Sequence, residues 1–232
     1  MALLKEIREA VLHLVFPHVC TGCGKDLPDT GSVLCMRCIE AMPETQFELH
    51  TDNPAEKIFW GRLPVAAATA QFYFTKESLM QYLMHQLKYK GNRELGWQLG
   101  RIMGEQLKKS GRFPVDALVP LPLFPAKERK RGYNQATVLC DGMASVLQLP
   151  VLHHVITRPQ HTETQTKKGR IERWKNMEGK FILTDAAAIR SKHLLLVDDV
   201  ITTGATLEAC GHELLQAENV QLSVATLCIA SK

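Results

Sequence analysis

Four consecutive apolar residues, Leu194 to Val197, run straight into two adjacent carboxylates, Asp198 and Asp199. A half-exposed strand alternates apolar with polar side chains. An unbroken apolar run needs cover on both faces, as in the centre of a parallel α/β sheet. The segment Val200-Ile-Thr-Thr-Gly-Ala-Thr206 follows, and Ala205 onward reads as a helix, so this segment joins a strand end to a helix start. Unpaired N–H groups and the positive end of the helix dipole favour a phosphate there. Gly204 permits close backbone approach, and the hydroxyls of Thr202, Thr203 and Thr206 can donate further hydrogen bonds. No lysine follows the glycine, which disfavours a nucleoside-triphosphate P-loop. Two carboxylates beside the cradle would repel a polyphosphate, but they suit sugar hydroxyls or a Mg2+ ion and its waters. A ribose phosphate satisfies both halves.

The rest of the chain repeats the strand–helix alternation. VAAATAQFYF reads as extended, KESLMQYLMHQLKY and NRELGWQLGRIMGEQLKK as helices, and DALVPLP as a short buried strand. YNQATVLCDGMASVLQ is a helix and VLHHVIT a strand, with a long polar loop after it. ATLEACGHELLQA and VQLSVATLCIA are the last helix and strand. This pattern predicts an α/β fold, a parallel sheet flanked by helices with ligands at the carboxyl ends of its strands. At 232 residues, the chain accommodates one such domain plus a small appendage. Its net charge of +4 does not by itself indicate nucleic acid.

The appendage is marked by cysteines. Cys20-Thr-Gly-Cys23 and Cys35-Met-Arg-Cys38 are two C-x2-C knuckles, and together they supply four soft ligands for a tetrahedral, closed, structural Zn2+ site. A redox C-x-x-C and two disulfides are the competing readings. His18 is a bystander, and Cys140, Cys210 and Cys228 sit among apolar neighbours as buried thiols. Residues 1 to 16 read as a short amphipathic helix stopped near Pro17, with no small-residue cleavage site after it. The expected organisation is a helix plus cysteine module over 1–48, a connector over 49–64 and the α/β domain over 65–232. No apolar run spans a bilayer, so the expected compartment is the cytoplasm, with the inner membrane face as a second address.

Strand, Asp-Asp, then V-I-T-T-G-A-T resembles the phosphoribosyl-pyrophosphate (PRPP) signature of type I phosphoribosyltransferases. The resemblance implies that Asp198 and Asp199 take the ribose hydroxyls and Mg2+, and that Thr202, Thr203, Gly204, Ala205 and Thr206 take the 5-phosphate. A receiver domain also places acids after a strand, but it does not need the T-T-G-x-T loop. The order of cysteine module, LKYKGNRELG, RKRGYNQA, QTKKGRIERWKNMEGKF and the PRPP loop is similar to the ComF family of competence proteins. That likeness implies a role in using external DNA, with single-stranded DNA and a ComF-operon helicase as partners. Amidophosphoribosyltransferases share the domain, but position 2 here is Ala2 rather than their nucleophilic cysteine.

Two basic segments flank the loop. Lys127, Arg129, Lys130 and Arg131 oppose only Glu128, and by resemblance they meet a departing pyrophosphate; a solvated helix start is the alternative. Residues 158 to 180 carry seven basic against three acidic side chains. There Gln165, Thr166 and Arg170 match the family's Q-T-x-x-x-R pattern, which implies a catalytic loop closing over substrate, with Arg170 beside Asp198 and Asp199. Tyr89, Trp97, Tyr133 and Trp174 lie among Lys88, Lys90, Arg101, Arg131 and Lys175, a mixture that can track phosphates and stack bases or else be core. His153, His154 and His193 receive no role. Three functions follow: a ComF-type PRPP and DNA binder, an active phosphoribosyltransferase, or a non-catalytic PRPP-sensing scaffold.

Overall fold

The computed structural model describes residues 18–27, 31–159 and 181–230. Residues 1–16, read from sequence as a helix, and Gln165, Thr166 and Arg170, read as part of a loop, lie outside the described residues. Strands β1 (Ala68–Phe74), β2 (Ala117–Pro120), β3 (Ile156–Thr157), β4 (Ile182–Leu183), β5 (His193–Ile201) and β6 (Gln221–Ala230) follow in chain order. Four of them form a sheet in the order β1-β6-β5-β2, every pairing parallel. β3 and β4 make a separate antiparallel pair. The α/β expectation is met, and Leu194 to Val197 are fully buried in the interior strand β5.

Two local readings change. β5 continues through Ile201, which pairs with Ile229, so Asp198 and Asp199 lie within the strand rather than after it. The ladder to β6 keeps the backbone extended after the apolar run has ended. VLHHVIT is not one strand: Val151 bridges Leu118, the chain bends with His153 and His154 exposed, and only Ile156 and Thr157 pair, with β4.

The helices are α1 (Met36–Glu40), α2 (Pro54–Lys57), α3 (Leu79–Tyr89), α4 (Arg93–Ser110), α5 (Pro125–Arg131), α6 (Gln135–Leu147) and α7 (Ala205–Leu214), of which α2, α3, α4, α6 and α7 pack on the sheet. α3 starts where Ser78 accepts from Gln81 N, and it buries Met80, Leu83, Met84 and Leu87, spaced as one helical face. Phe72, Leu195, Val197 and Leu227 meet α3, α4 and α6 on one side of the sheet. Ala68, Leu194, Leu196 and Val224 meet Phe59, Leu207, Cys210 and Leu214 on the other. Cys20, Leu27, Val33, Leu34, Cys38 and Met42 belong to the first of these cores. Gln98 of α4 fastens them: its Oε1 accepts from Val33 N at 2.9 Å and its Nε2 donates to Ser32 Oγ at 2.8 Å. The outer edge of β1 is covered by residues 43–45, with Tyr73 N donating to Pro43 O and Thr45 N to Gln71 O.

α4 and α6 touch backbone to backbone. A Cβ at Gly100 would stand 2.2 Å from Leu139 O, and one at Gly142 would stand 2.1 Å from Trp97 O. Neither obstacle is a flexible side-chain tip, so a methyl group must push the helices apart. Gly100→Ala and Gly142→Ala are each expected to cost about 1–3 kcal/mol, a fall of roughly 3–10 °C in Tm by thermal unfolding. An unchanged Tm would contradict the close helix contact.

Candidate functional site

The loop between β5 and α7 is held from outside by the segment read as a connector. Gly204 has φ +75° and caps α7, and a Cβ there would meet Ile58 Cγ2 at 2.5 Å and Phe59 at 3.3 Å. Both the backbone conformation and the space require glycine. Arg62 Nη1 donates to Thr203 O at 2.8 Å, and Arg62 also pairs with Glu208 on the first turn of α7. Asn53, 4% exposed, anchors this segment: its Nδ2 donates to Phe47, His50 and Ala68 carbonyls, and its Oδ1 caps α2 at Ala55 N and Glu56 N. Thr202, Thr203 and Thr206 are exposed and Ala205 is half-buried, so the loop's hydroxyls face solvent at the start of a ten-residue helix. That is an anion-binding geometry.

Successive strand residues point to opposite faces, and the two aspartates obey that rule. Asp199 Oδ1 lies 2.9 Å from Lys88 Nζ on α3. Asp198 senses Arg158 and Cys210, on the α7 side. Burial raises the Asp198 carboxyl to about 7, the Asp199 charge adds to the rise, and the Asp199 N–H, Lys88 and Arg158 oppose it. The Asp199 N–H donates to Asp198 Oδ1 at 2.7 Å. By surface area Asp198 is still half-buried, so a ligand can reach it. Carboxylate oxygens are the hard donors that Mg2+ takes, so the donor chemistry fits that ion.

The R-G-Y-N-Q-A motif stands beside the pair as a clasp. Tyr133, 4% exposed, donates its hydroxyl to Leu87 O, and burial raises its pKa. Asn134 Nδ2 donates to Leu121 O at 2.9 Å, and its Oδ1 caps α6 at Ala136 N. Arg131 Nη1 donates to Gln135 Oε1 at 2.6 Å and lies over the Tyr89 ring at 5.7 Å. Lys127, Arg129 and Lys130 are exposed on α5. Tyr89 is 64% and Trp97 38% exposed, so of the aromatics read as core or stacking residues, Tyr133 is core and these two reach the surface. Trp174 lies outside the described residues.

Arg158 leaves β3 with its guanidinium 3.7 Å from the Phe124 ring centre and 5.0 Å from that of Phe181. It lines a cavity of about 450 Å³ between the turn at Pro120, Pro122, Leu123 and Pro125 and the segment His153 to Arg158. A hollow of about 590 Å³ floored by Trp60, Arg62 and Arg112 includes neither the acidic pair nor the loop threonines. Arg62, Ile58 and Phe59 were not read as site residues from sequence, and Lys88 was read only as one of the basic residues interleaved with aromatics. Their contacts with the loop and the acidic pair join residues far apart in the chain, and no local motif marks them.

The four module cysteines converge, with all their Sγ atoms within 4.8 Å of one another. Cys23 and Cys35 Sγ are 3.7 Å apart, close to the edge of about 3.8 Å expected for a tetrahedron with Zn–S near 2.3 Å. A Cβ at Gly22 would stand 2.9 Å from Cys38 Sγ, and Gly24 has φ +72°, so both glycines permit the knuckle. Burial alone would raise the Cys20 thiol, but N–H donors from Cys35, Cys23 and Gly22 bring it down to about 6. Burial and the neighbouring thiols push Cys38 up. No disulfide is present among the described cysteines, and His18 Nε2 bonds Ser32 O instead of joining the cluster. The donor set can hold a metal ion.

The raised Asp198 carboxyl has a stability consequence. Its folded pKa lies above its unfolded value, so the stability it contributes is full below about pH 4 and is lost as pH rises through 7. Asp198→Asn is therefore expected to raise Tm relative to wild type at pH 8, by about 2–4 °C for each kcal/mol relieved. The advantage should shrink towards zero below about pH 4. Thermal unfolding across pH 4–8 checks this, and a pH-independent difference would be contrary to it.

Residues 133–232 match the Phosphoribosyl transferase domain family. DNA utilization protein YhgH of Escherichia coli O157:H7 is 28% identical over 215 residues, 90% of this chain and 83% of that protein. Competence protein F of Haemophilus influenzae is 27% identical over 209 residues, covering 84% of this chain and 83% of that protein. Competence protein ComFC of Bacillus subtilis is 29% identical over 143 residues, covering 62% and 56%. Among the described residues no helix is long and apolar enough to cross a membrane. A match to the Phosphoribosyl transferase domain thus follows a converging four-cysteine module, and the likeness to these competence and DNA utilization proteins extends beyond that domain.

Proposed function

We propose that the chain binds PRPP or a ribose 5-phosphate with Mg2+ at the β5–α7 loop, and single-stranded DNA through its basic surface. Its role is then the use of external DNA in competence. The observation that carries the ligand assignment is Gly204. It is held at positive φ against Ile58 and Phe59, one residue before a helix and five residues after Asp199. A loop braced in this way keeps its N–H groups and hydroxyls in place for a phosphate, while the carboxylates take the sugar hydroxyls and the metal's waters. When bound, Mg2+ would neutralise phosphate charge there. Lys127, Arg129 and Lys130 offer exposed cations on α5, suited to pyrophosphate or to a DNA backbone. The four thiolates fit structural zinc, and the names of the relatives support the biological role.

Isothermal titration of PRPP with Mg2+ is expected to show saturable binding by wild type. Gly204→Ala and the Asp198→Asn/Asp199→Asn double variant should each weaken it at least about tenfold. Equal affinity in both would rule out the loop. The same preparation should contain about one zinc per chain by metal analysis, as four thiolate ligands imply. Pyrophosphate release from PRPP across bases, nucleosides and DNA separates an active phosphoribosyltransferase from a sensor.

DNA binding is expected to weaken as salt rises. The slope should shallow in a Lys127→Ala/Arg129→Ala/Lys130→Ala variant. A salt-independent affinity would exclude backbone contacts.

A further inference from the structure

Asp199 already has a cation. Lys88 Nζ lies 2.9 Å from its Oδ1, with the two side chains only 22% and 13% exposed. The lysine is not a loosely held surface charge. It sits on the last turn of α3, whose buried face (Met80, Leu83, Leu87) sets the helix's rotation against the sheet. The carbonyl of the preceding residue, Leu87, accepts the hydroxyl of buried Tyr133, and Arg93 lies over that ring at 5.2 Å. Tyr133 thus anchors the turn, the turn aims Lys88, and Lys88 meets Asp199 on the side of β5 away from Arg158.

A divalent cation seeking Asp199 meets an ammonium on one of its oxygens. In this partly dry site the repulsion between the two cations is screened far less than in water. A metal that arrives with a phosphate ligand is different, because the phosphate oxygens bring negative charge that the lysine can face instead.

We propose that Lys88 is the resident counter-ion of Asp199, a positioning residue that keeps a bare divalent cation off the acidic pair, so that metal enters only with an anionic ligand. The identity of that ligand rests on the ribose-phosphate reading; the exclusion of bare metal rests on the Lys88–Asp199 contact alone.

Mn2+ is the probe, followed by electron paramagnetic resonance of the free ion and by calorimetry on full-length protein that retains its zinc. Wild type and Lys88→Arg bind Mn2+ alone weakly. Lys88→Met binds it at least about tenfold more tightly, a gain that damage to the fold does not produce. Adding Asp199→Asn to Lys88→Met removes the gain, and Tyr133→Phe falls between wild type and Lys88→Met. Unchanged or weaker Mn2+ binding in folded Lys88→Met overturns the assignment, as does a gain that survives Asp199→Asn. Thermal unfolding establishes that each variant is folded, and Lys88→Gln stands in if Lys88→Met is not. Adding PRPP should raise the wild-type affinity for Mn2+. A wild type indifferent to PRPP, together with a Mn2+ gain in Lys88→Met, would end the ribose-phosphate reading and leave the role of Lys88 in place.

Discussion

Strand β5 is covered on both faces, so its two carboxylates, Asp198 and Asp199, turn towards different helical layers. Asp199 belongs to the layer of α3, α4 and α6, where it meets Lys88. Asp198 belongs to the layer of α7, where burial and the Asp199 charge raise it and the Asp199 N–H, Lys88 and Arg158 lower it. An acidic doublet written as one motif is therefore two carboxylates with different contact partners, divided by the thickness of a strand but coupled through their charges. That division lets one carboxylate hold a fixed ion pair while the other stays open to a ligand. It also ties the site to both cores, because a shift of either helical layer moves one aspartate relative to the other.

Much of this was legible beforehand, for physical reasons. Leu194 to Val197 had to be buried on both faces because nothing in that run can meet water, and they are. The converging cysteines were readable because a two-residue gap leaves two thiols little choice but to face one point. The extent of β5 was less legible. Two aspartates look like the end of a strand, yet the backbone ladder to Asp198, Val200 and Ile201 continues regardless of side-chain polarity. The split of VLHHVIT failed for the opposite reason: its residues favour strand, but the tertiary structure gives Val151 and Ile156 different partners. Long-range contacts such as Lys88 with Asp199, or Arg62 with Thr203, leave no periodic trace along the chain.

Neither the connector nor the cysteine module is a passive appendage. Asn53 satisfies three carbonyls and two N–H groups at one buried position, and it places α2 so that Ile58 and Phe59 close on Gly204. The cysteine module shares its core with α3 and α4, where Leu79 Cδ1 stands 3.2 Å from the Cβ position of Gly22. Metal binding at four thiolates stabilises whatever packs against them. Here that includes α3, the helix that carries Lys88. The path from the cysteines to the acidic pair therefore runs through a single eleven-residue helix.

The R-G-Y-N-Q-A motif carries much of the resemblance to ComF proteins, but its side chains chiefly serve the protein rather than a ligand. Asn134 joins the loop after β2 to the start of α6, Tyr133 joins that start to the end of α3, and Gln135, 1% exposed, holds Arg131. Residues of this kind resist substitution because each satisfies a buried polar group, and leaving such a group unpaired costs about 1–3 kcal/mol. A diagnostic motif need not touch substrate to govern what happens to it. In this chain the Tyr133 hydroxyl ends on the carbonyl of Leu87, and the next residue is the lysine that holds Asp199.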